Sequence, residues 1–310
     1  MIQAPDYMEL LPPAALTRCR QLRLLTRGFV QGFKNGEHRS PYIGSSTEFA
    51  EHREYSPGDD PRSLDWRVYG KMDRYYVKQY VEETNLRATI LLDASASMRF
   101  VGDSAITVGN RRLSKFGYAQ HLAAAFAFLL TQQGDAVGLV NFDSRIRERL
   151  PAANTASHLQ RLLQSIHEAR PGGESKLAEV LHEIARQLPH RGLVVLISDS
   201  FDGVPDITAA LHHLRHRKHE LILFHVLAHE ELQFPYSSAT EFRDLEQIAD
   251  AVDLDPASIR REYLRQLNDY LQQLETGCGQ VEADYVRICT KERYLDSLTD
   301  YLSRRMARRF

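Results

Sequence analysis

The chain is poor in cysteine, tryptophan and net charge. Three cysteines, Cys19, Cys278 and Cys289, occur in 310 residues. Their number is odd and their spacing matches no metal motif, so they read as reduced thiols in a cytoplasmic protein. Lysine and arginine total 39 against 41 aspartate and glutamate, a formal charge of -2. A balance this even supplies no global field for nucleic acid or a membrane surface. No run of about 18 apolar residues is present, so no transmembrane helix is expected. Met1 to Leu11 carries Asp6 and Glu9 and lacks a basic start and an apolar core, so it is no secretory signal. Also missing are a Gly-x-x-x-x-Gly-Lys-Ser/Thr loop and a Gly-x-Ser-x-Gly elbow. The first absence argues against ATP hydrolysis by this chain, and the second weakens a serine hydrolase reading.

What is present is an α/β alternation preceded by a segment of different character. Residues 1–85 form an amino-terminal segment and residues 86–310 a larger domain. In the segment, Pro12 to Gly32 reads as a helix with Leu16, Cys19, Leu22, Leu25 and Phe29 as its apolar stripe. Lys34 to Ser46 reads as a loop, and Pro57-Gly58-Asp59-Asp60 as a turn. Ser63 to Met72 reads as a short helix and Arg74 to Glu82 as a strand. The single tryptophan, Trp66, is expected to pack on the sheet with its indole N–H satisfied locally. From Arg87 onward, apolar strands alternate with helices. The expected strands are Arg87–Asp93, Ala136–Phe142, Gly192–Asp199, Glu220–Ala228 and Glu282–Cys289, with Arg145–Leu150 at an edge. The pattern predicts a mainly parallel sheet with helices on both faces.

The stretch Ile90-Leu91-Leu92-Asp93-Ala94-Ser95-Ala96-Ser97 carries the chemistry. A buried run delivers one acid and two hydroxyls to the carboxyl end of a strand, where open α/β sheets present their ligands. Hard cations such as magnesium or manganese take oxygen donors of this kind. Taken alone, the same residues also fit a helix amino-terminal cap. Two further elements join them. Pro171-Gly172-Gly173-Glu174-Ser175 is a glycine turn leading into a helix, where Ser175 is either a third hydroxyl ligand or a helix cap. Val194 to Asp199 repeats the first strand's logic, an apolar run followed by an acid. If the two strands are neighbours, Asp93 and Asp199 meet at one edge and repel unless a cation lies near them. A phosphoryl-accepting role for Asp93 is the competing reading. It is weakened because Ser95 stands where an Asp-x-Asp phosphatase motif has its second acid.

These residues resemble the von Willebrand factor A fold, whose metal site is Asp-x-Ser-x-Ser, a later Thr and a later Asp. Asp93, Ser95 and Ser97 match the first part, Asp199 the last, and Ser175 stands in the position of the Thr. The block Glu48-Phe49-Ala50-Glu51-His52-Arg53-Glu54-Tyr55-Ser56-Pro57-Gly58-Asp59-Asp60, followed by Asp65-Trp66, resembles the hallmark of the bacterial domain of unknown function 58 family. That resemblance implies the adhesion-type fold, with one metal coordination position left for a carboxylate of a partner. It also implies association with MoxR-type AAA+ ATPases in chaperone-like maturation or assembly. The sequence expectation is therefore a cytoplasmic, non-enzymatic adaptor. It holds Mg2+ or Mn2+ through Ser95, Ser97 and Ser175, with Asp93 and Asp199 supporting the ion, and binds an acidic protein partner, a MoxR-type ATPase or its client. The alternative is a metal-dependent phosphohydrolase.

Overall fold

Strands with no polar alternation are those covered on both faces, and here they form the middle of one sheet. A computed structural model describes residues 6–22, 47–55, 64–72, 74–82, 86–189, 191–236, 240–243, 251–254 and 256–307. The chain divides into two compact units, residues 34–85 and residues 1–33 with 86–310. The loop expected at 34–46, the turn at 57–60 and the helix beyond residue 22 lie outside the described residues.

In the smaller unit, strand β1 (Thr47–Glu54) pairs antiparallel with β2 (Tyr76–Glu82), with a shift in register between Phe49 and Glu51. Helix α2 (Trp66–Met72) is capped by buried Asp65, whose Oδ1 accepts from the N–H groups of Arg67 (2.9 Å) and Val68 (3.3 Å). Trp66 does not pack as expected. It is 63% exposed, and among the described residues its ring contact is edge-on with Tyr69, centroids 6.3 Å apart. The cap fixes the reason: Asp65 turns inward at the first turn of α2, and the next side chain points away from it.

The larger unit opens with a 3-10 turn, Asp6–Leu10, and a helix, α1, described over residues 13–22. Its main sheet follows. Strand β3 is Arg87–Asp93. After it come the small hairpin β4 (Thr107–Val108) and β5 (Arg111–Arg112), then helix α3 (Lys115–Thr131). Strands β6 (Ala136–Phe142) and β7 (Ile146–Ala153) lead to helices α4 (Ala156–Glu168) and α5 (Leu177–Gln187). Then come β8 (Gly192–Ser198), α6 (Val204–His216), β9 (His219–Leu227) and α7 (His229–Gln233). A hairpin of β10 (Thr240–Arg243) and β11 (Ala251–Leu254) precedes α8 (Pro256–Gln280), β12 (Asp284–Cys289) and α9 (Tyr294–Ala307). The sheet order is β12-β9-β8-β3-β6-β7, parallel throughout except for β7, which runs antiparallel to β6 at one edge.

Alternate residues of β3 feed two cores. Ile90 and Leu92 pack with α3, α4 and α9, while Leu91 packs with α5, α6 and Leu274 of α8. Helix α3 is buried nearly all round, and its alanines let it approach the sheet closely. The chain leaves β3 for β6 on one side and later returns to β8 on the other. The direction of winding therefore reverses between β3 and β8, which opens a crevice beyond their carboxyl ends.

Candidate metal centre

Asp93 ends β3 and Asp199 follows the last residue of β8, so the switch point brings both acids to one rim. Both are buried, at 0% and 1% exposure. The Oδ1 of Asp93 accepts from the Ser95 N–H (2.9 Å) and its Oδ2 from the Ser198 hydroxyl (2.6 Å). Ser95 and Ser97 share a hydroxyl hydrogen bond of 3.0 Å. Residues 96–99 form a single 3-10 turn starting at Ser95, whose hydroxyl makes no cap bond, so the hydroxyl is not consumed by the helix.

The glycine turn lies against this loop. The Gly172 N–H donates to the Ala94 carbonyl (2.8 Å), and the Ala96 N–H to the Gly173 carbonyl (2.9 Å). Gly173 has φ +84°, and a Cβ there would stand 2.9 Å from Oδ2 of Asp143. Asp143 is itself buried and holds Arg147 through a 2.6 Å hydrogen bond, so it has little room to yield. Ser175 does not cap α5. Lys176 occupies the cap position, and Oδ2 of Asp202 accepts from the Ala178 N–H instead (3.2 Å). Ser175 thus sits on a short span pinned at Gly173 to the 94–96 loop and at Ala178 to the 199–203 loop. Three loops from distant parts of the chain are joined here by backbone and carboxylate bonds.

Five residues outside the expected set, Lys115, Ser198, His225, Glu231 and Tyr270, complete the rim. Lys115, the first residue of α3, is 1% exposed and donates to Asp199 Oδ2 (2.8 Å) and Glu231 Oε1 (2.7 Å). Its ammonium also lies 4.8 Å from the ring centroid of Phe201 and 5.9 Å from that of Phe100. Burial opposes its charge, but the two carboxylates more than offset this and hold its pKa above the ordinary lysine value. His225, on β9, is fully buried and pushed down to about 4, chiefly by burial. Its Nε2–H donates to the Asp199 carbonyl (2.7 Å), so the neutral ring accepts at Nδ1 from the Tyr285 hydroxyl (2.8 Å). Ser198 binds Asp93, and Tyr270 of α8 donates to the carbonyls of Ser200 and Asp202 (3.2 Å for the latter).

Burial pushes the Asp93 carboxyl up to about 7, with the Asp199 charge adding to it and the bonds from Ser198 and Ser95 opposing it. Two polar atoms beside it, Asp199 Oδ1 and Ser200 Oγ, are buried with no hydrogen-bond partner among the described residues. Orphaned oxygens next to a buried carboxylate are what a cation or its water would satisfy. No cluster of three or more His, Cys, Asp or Glu converges among the described residues, so a metal here depends on the serine hydroxyls. The donors are all oxygen, which suits magnesium or manganese and disfavours zinc.

A family model described as protein of unknown function DUF58 matches residues 51–272. The uncharacterized protein Rv1480 of Mycobacterium tuberculosis is 28% identical over 257 residues, covering 82% of this chain and 78% of the relative. Among solved structures, BatB from Bacteroides thetaiotaomicron aligns with a TM-score of 0.46 and 15% identity, over 72% of this chain and all of that one. The SpRpn10 VWA domain aligns with a TM-score of 0.41 and 10% identity, over 69% and 94% of the two chains.

Proposed function

The chain belongs to the family described as protein of unknown function DUF58, and on that premise we propose that it is a non-enzymatic adaptor that docks a protein partner through a divalent cation at the β3–β8 rim. Asp93, Ser95, Ser97 and Ser175 hold Mg2+ or Mn2+, with Asp199 beside it. The cation supplies an open coordination position for a hard oxygen ligand. The orphaned Oδ1 of Asp199 next to the buried Asp93 carboxyl carries this reading.

The preference of a hard cation for oxygen ligands supports an acidic partner. Asp93, Asp199 and Glu231 against Lys115 leave the ionised cluster with two negative charges. A divalent cation brings the cluster to neutrality, and its open position still takes a carboxylate oxygen. A MoxR-type ATPase or its client is the partner the family resemblance favours. The free cysteines, Cys19, Cys278 and Cys289, support a reducing, cytoplasmic setting. Among the described residues, no helix is long and apolar enough to cross a membrane.

Affinity capture from native host extract tests the proposal, using the full chain and Ser95→Ala/Ser97→Ala with magnesium or with chelator. A protein retained by the wild type only with magnesium, and not retained by the folded variant, supports the adaptor. Equal retention by both proteins under both conditions overturns it.

A further inference from the structure

A groove of about 1100 Å3 is lined by residues that adjoin the metal rim in the chain, among them Arg99, Ser114 and Pro171. Arg99, two residues past Ser97, forms one wall, and its Nε donates to the Pro171 carbonyl (2.8 Å) at the root of the glycine turn. Arg111 and Arg112, from the β4–β5 hairpin, and Arg170 line the rest. Against these four cations, Glu9 is the only acid among the described lining residues.

The arginines are not neutralised in place. Arg170 donates to the carbonyls of His167 (2.6 Å) and Ala169 (3.0 Å), which position a guanidinium without cancelling its charge. Among the described residues, no carboxylate pairs with Arg99, Arg111 or Arg170. Arg112 meets Asp103 at 3.0 Å, but both side chains are exposed, so the pair is weak and exchangeable. The overall charge of -2 makes this a local feature and not part of a basic protein. Val101, 46% exposed, adds an apolar contact at the edge of the groove.

We infer that this groove binds an acidic peptide segment of the partner, with several carboxylates along the arginines and one at the cation. The inference rests on the adaptor reading for the last of those contacts only. A guanidinium suits a carboxylate because its planar donors match both oxygens. Single-stranded nucleic acid is the lesser fit. Its binding needs exposed aromatic faces for stacking, and the one Phe, Tyr or Trp among the described lining residues, Phe116, is 3% exposed.

The test is fluorescence anisotropy of fluorescein-labelled octaglutamate on the full chain, with fluorescein-labelled oligothymidine of equal length as comparison. Arg111→Glu/Arg170→Glu changes two exposed side chains, and its fold is checked by circular dichroism. The expected result is salt-sensitive octaglutamate binding to wild type, weakened about tenfold or more in this variant. Magnesium-induced stabilisation should be the same in both proteins. Ser95→Ala/Ser97→Ala separates the two ideas. If octaglutamate binding ignores magnesium but still falls in the arginine variant, the groove stands and the cation contact fails. If the arginine variant binds octaglutamate as wild type does, or if oligothymidine binds as tightly, the groove proposal is overturned.

Discussion

At the scale of single residues, the rim is governed by a lysine that the chain's local pattern does not announce. Lys115 begins a helix, where a lysine ordinarily reaches solvent, yet it is buried between two carboxylates 84 and 116 positions away. Removing it leaves Asp199 and Glu231 buried without a counter-charge. Lys115→Met is therefore expected to cost about 3–5 kcal/mol in chelator, measured by urea unfolding. Lys115→Met/Asp199→Asn/Glu231→Gln should recover most of that loss, because a neutral cluster needs no cation. A cost below about 1 kcal/mol for the single change would mean that water already neutralises the site. Asp93, Ser95 and Ser97 were legible in sequence because an apolar run ending in an acid is visible within nine residues. Lys115, Ser198 and His225 were not, since their roles arise only when β8, β9 and α3 are brought side by side. His225 gave no signal beyond a polar residue inside an apolar strand. Trp66 misled because its chemistry favours burial, while its neighbour Asp65 took the inward position.

At the scale of elements, the strands of the main sheet and the longer helices of residues 87–307 follow from sequence pattern, with ends that differ from expectation by a few residues, whereas α7 and the β4–β5 and β10–β11 hairpins do not. The strands β3, β6 and β8 are continuous hydrophobic runs because helices cover both faces. Strand β1, Thr47–Glu54, carries charges along its length and owes its conformation to pairing with β2, which no local pattern records. The loops are where sequence said least about geometry. Ser175 was open between ligand and cap, and the Asp202 bond to Ala178 decides against the cap. The glycine turn is held in register by its positive φ and by the absence of a side chain facing Asp143. Gly173→Ala should cost on the order of 1–3 kcal/mol in chemical denaturation and weaken manganese binding, read by titration calorimetry. Unchanged stability would show that the turn adapts and is not what sets the position of Ser175.

At the scale of the molecule, the order of strands is what converts scattered residues into one site. The winding reversal between β3 and β8 gathers residues 93–97, 171–178 and 198–203 beyond one sheet edge. The result is a buried acidic cluster beside an arginine-lined groove. Its pH behaviour follows from Asp93. The folded carboxyl is raised from 3.8 to about 7, so the folded chain keeps a proton that the unfolded chain releases. That stabilising contribution is complete below 3.8 and is lost as pH rises through about 7. Above that range the buried charge needs a cation, and a cation that binds only the folded chain raises its stability.

The most direct measurement is thermal unfolding of the full chain at about pH 8, with chelator and with magnesium, for wild type and Asp93→Asn. A cation held by Asp93 predicts a higher Tm for wild type in magnesium. It also predicts an Asp93→Asn protein that is more stable than wild type in chelator and indifferent to magnesium. A wild-type Tm that is the same with and without the metal, or an Asp93→Asn protein that responds to magnesium as strongly as wild type, would contradict it.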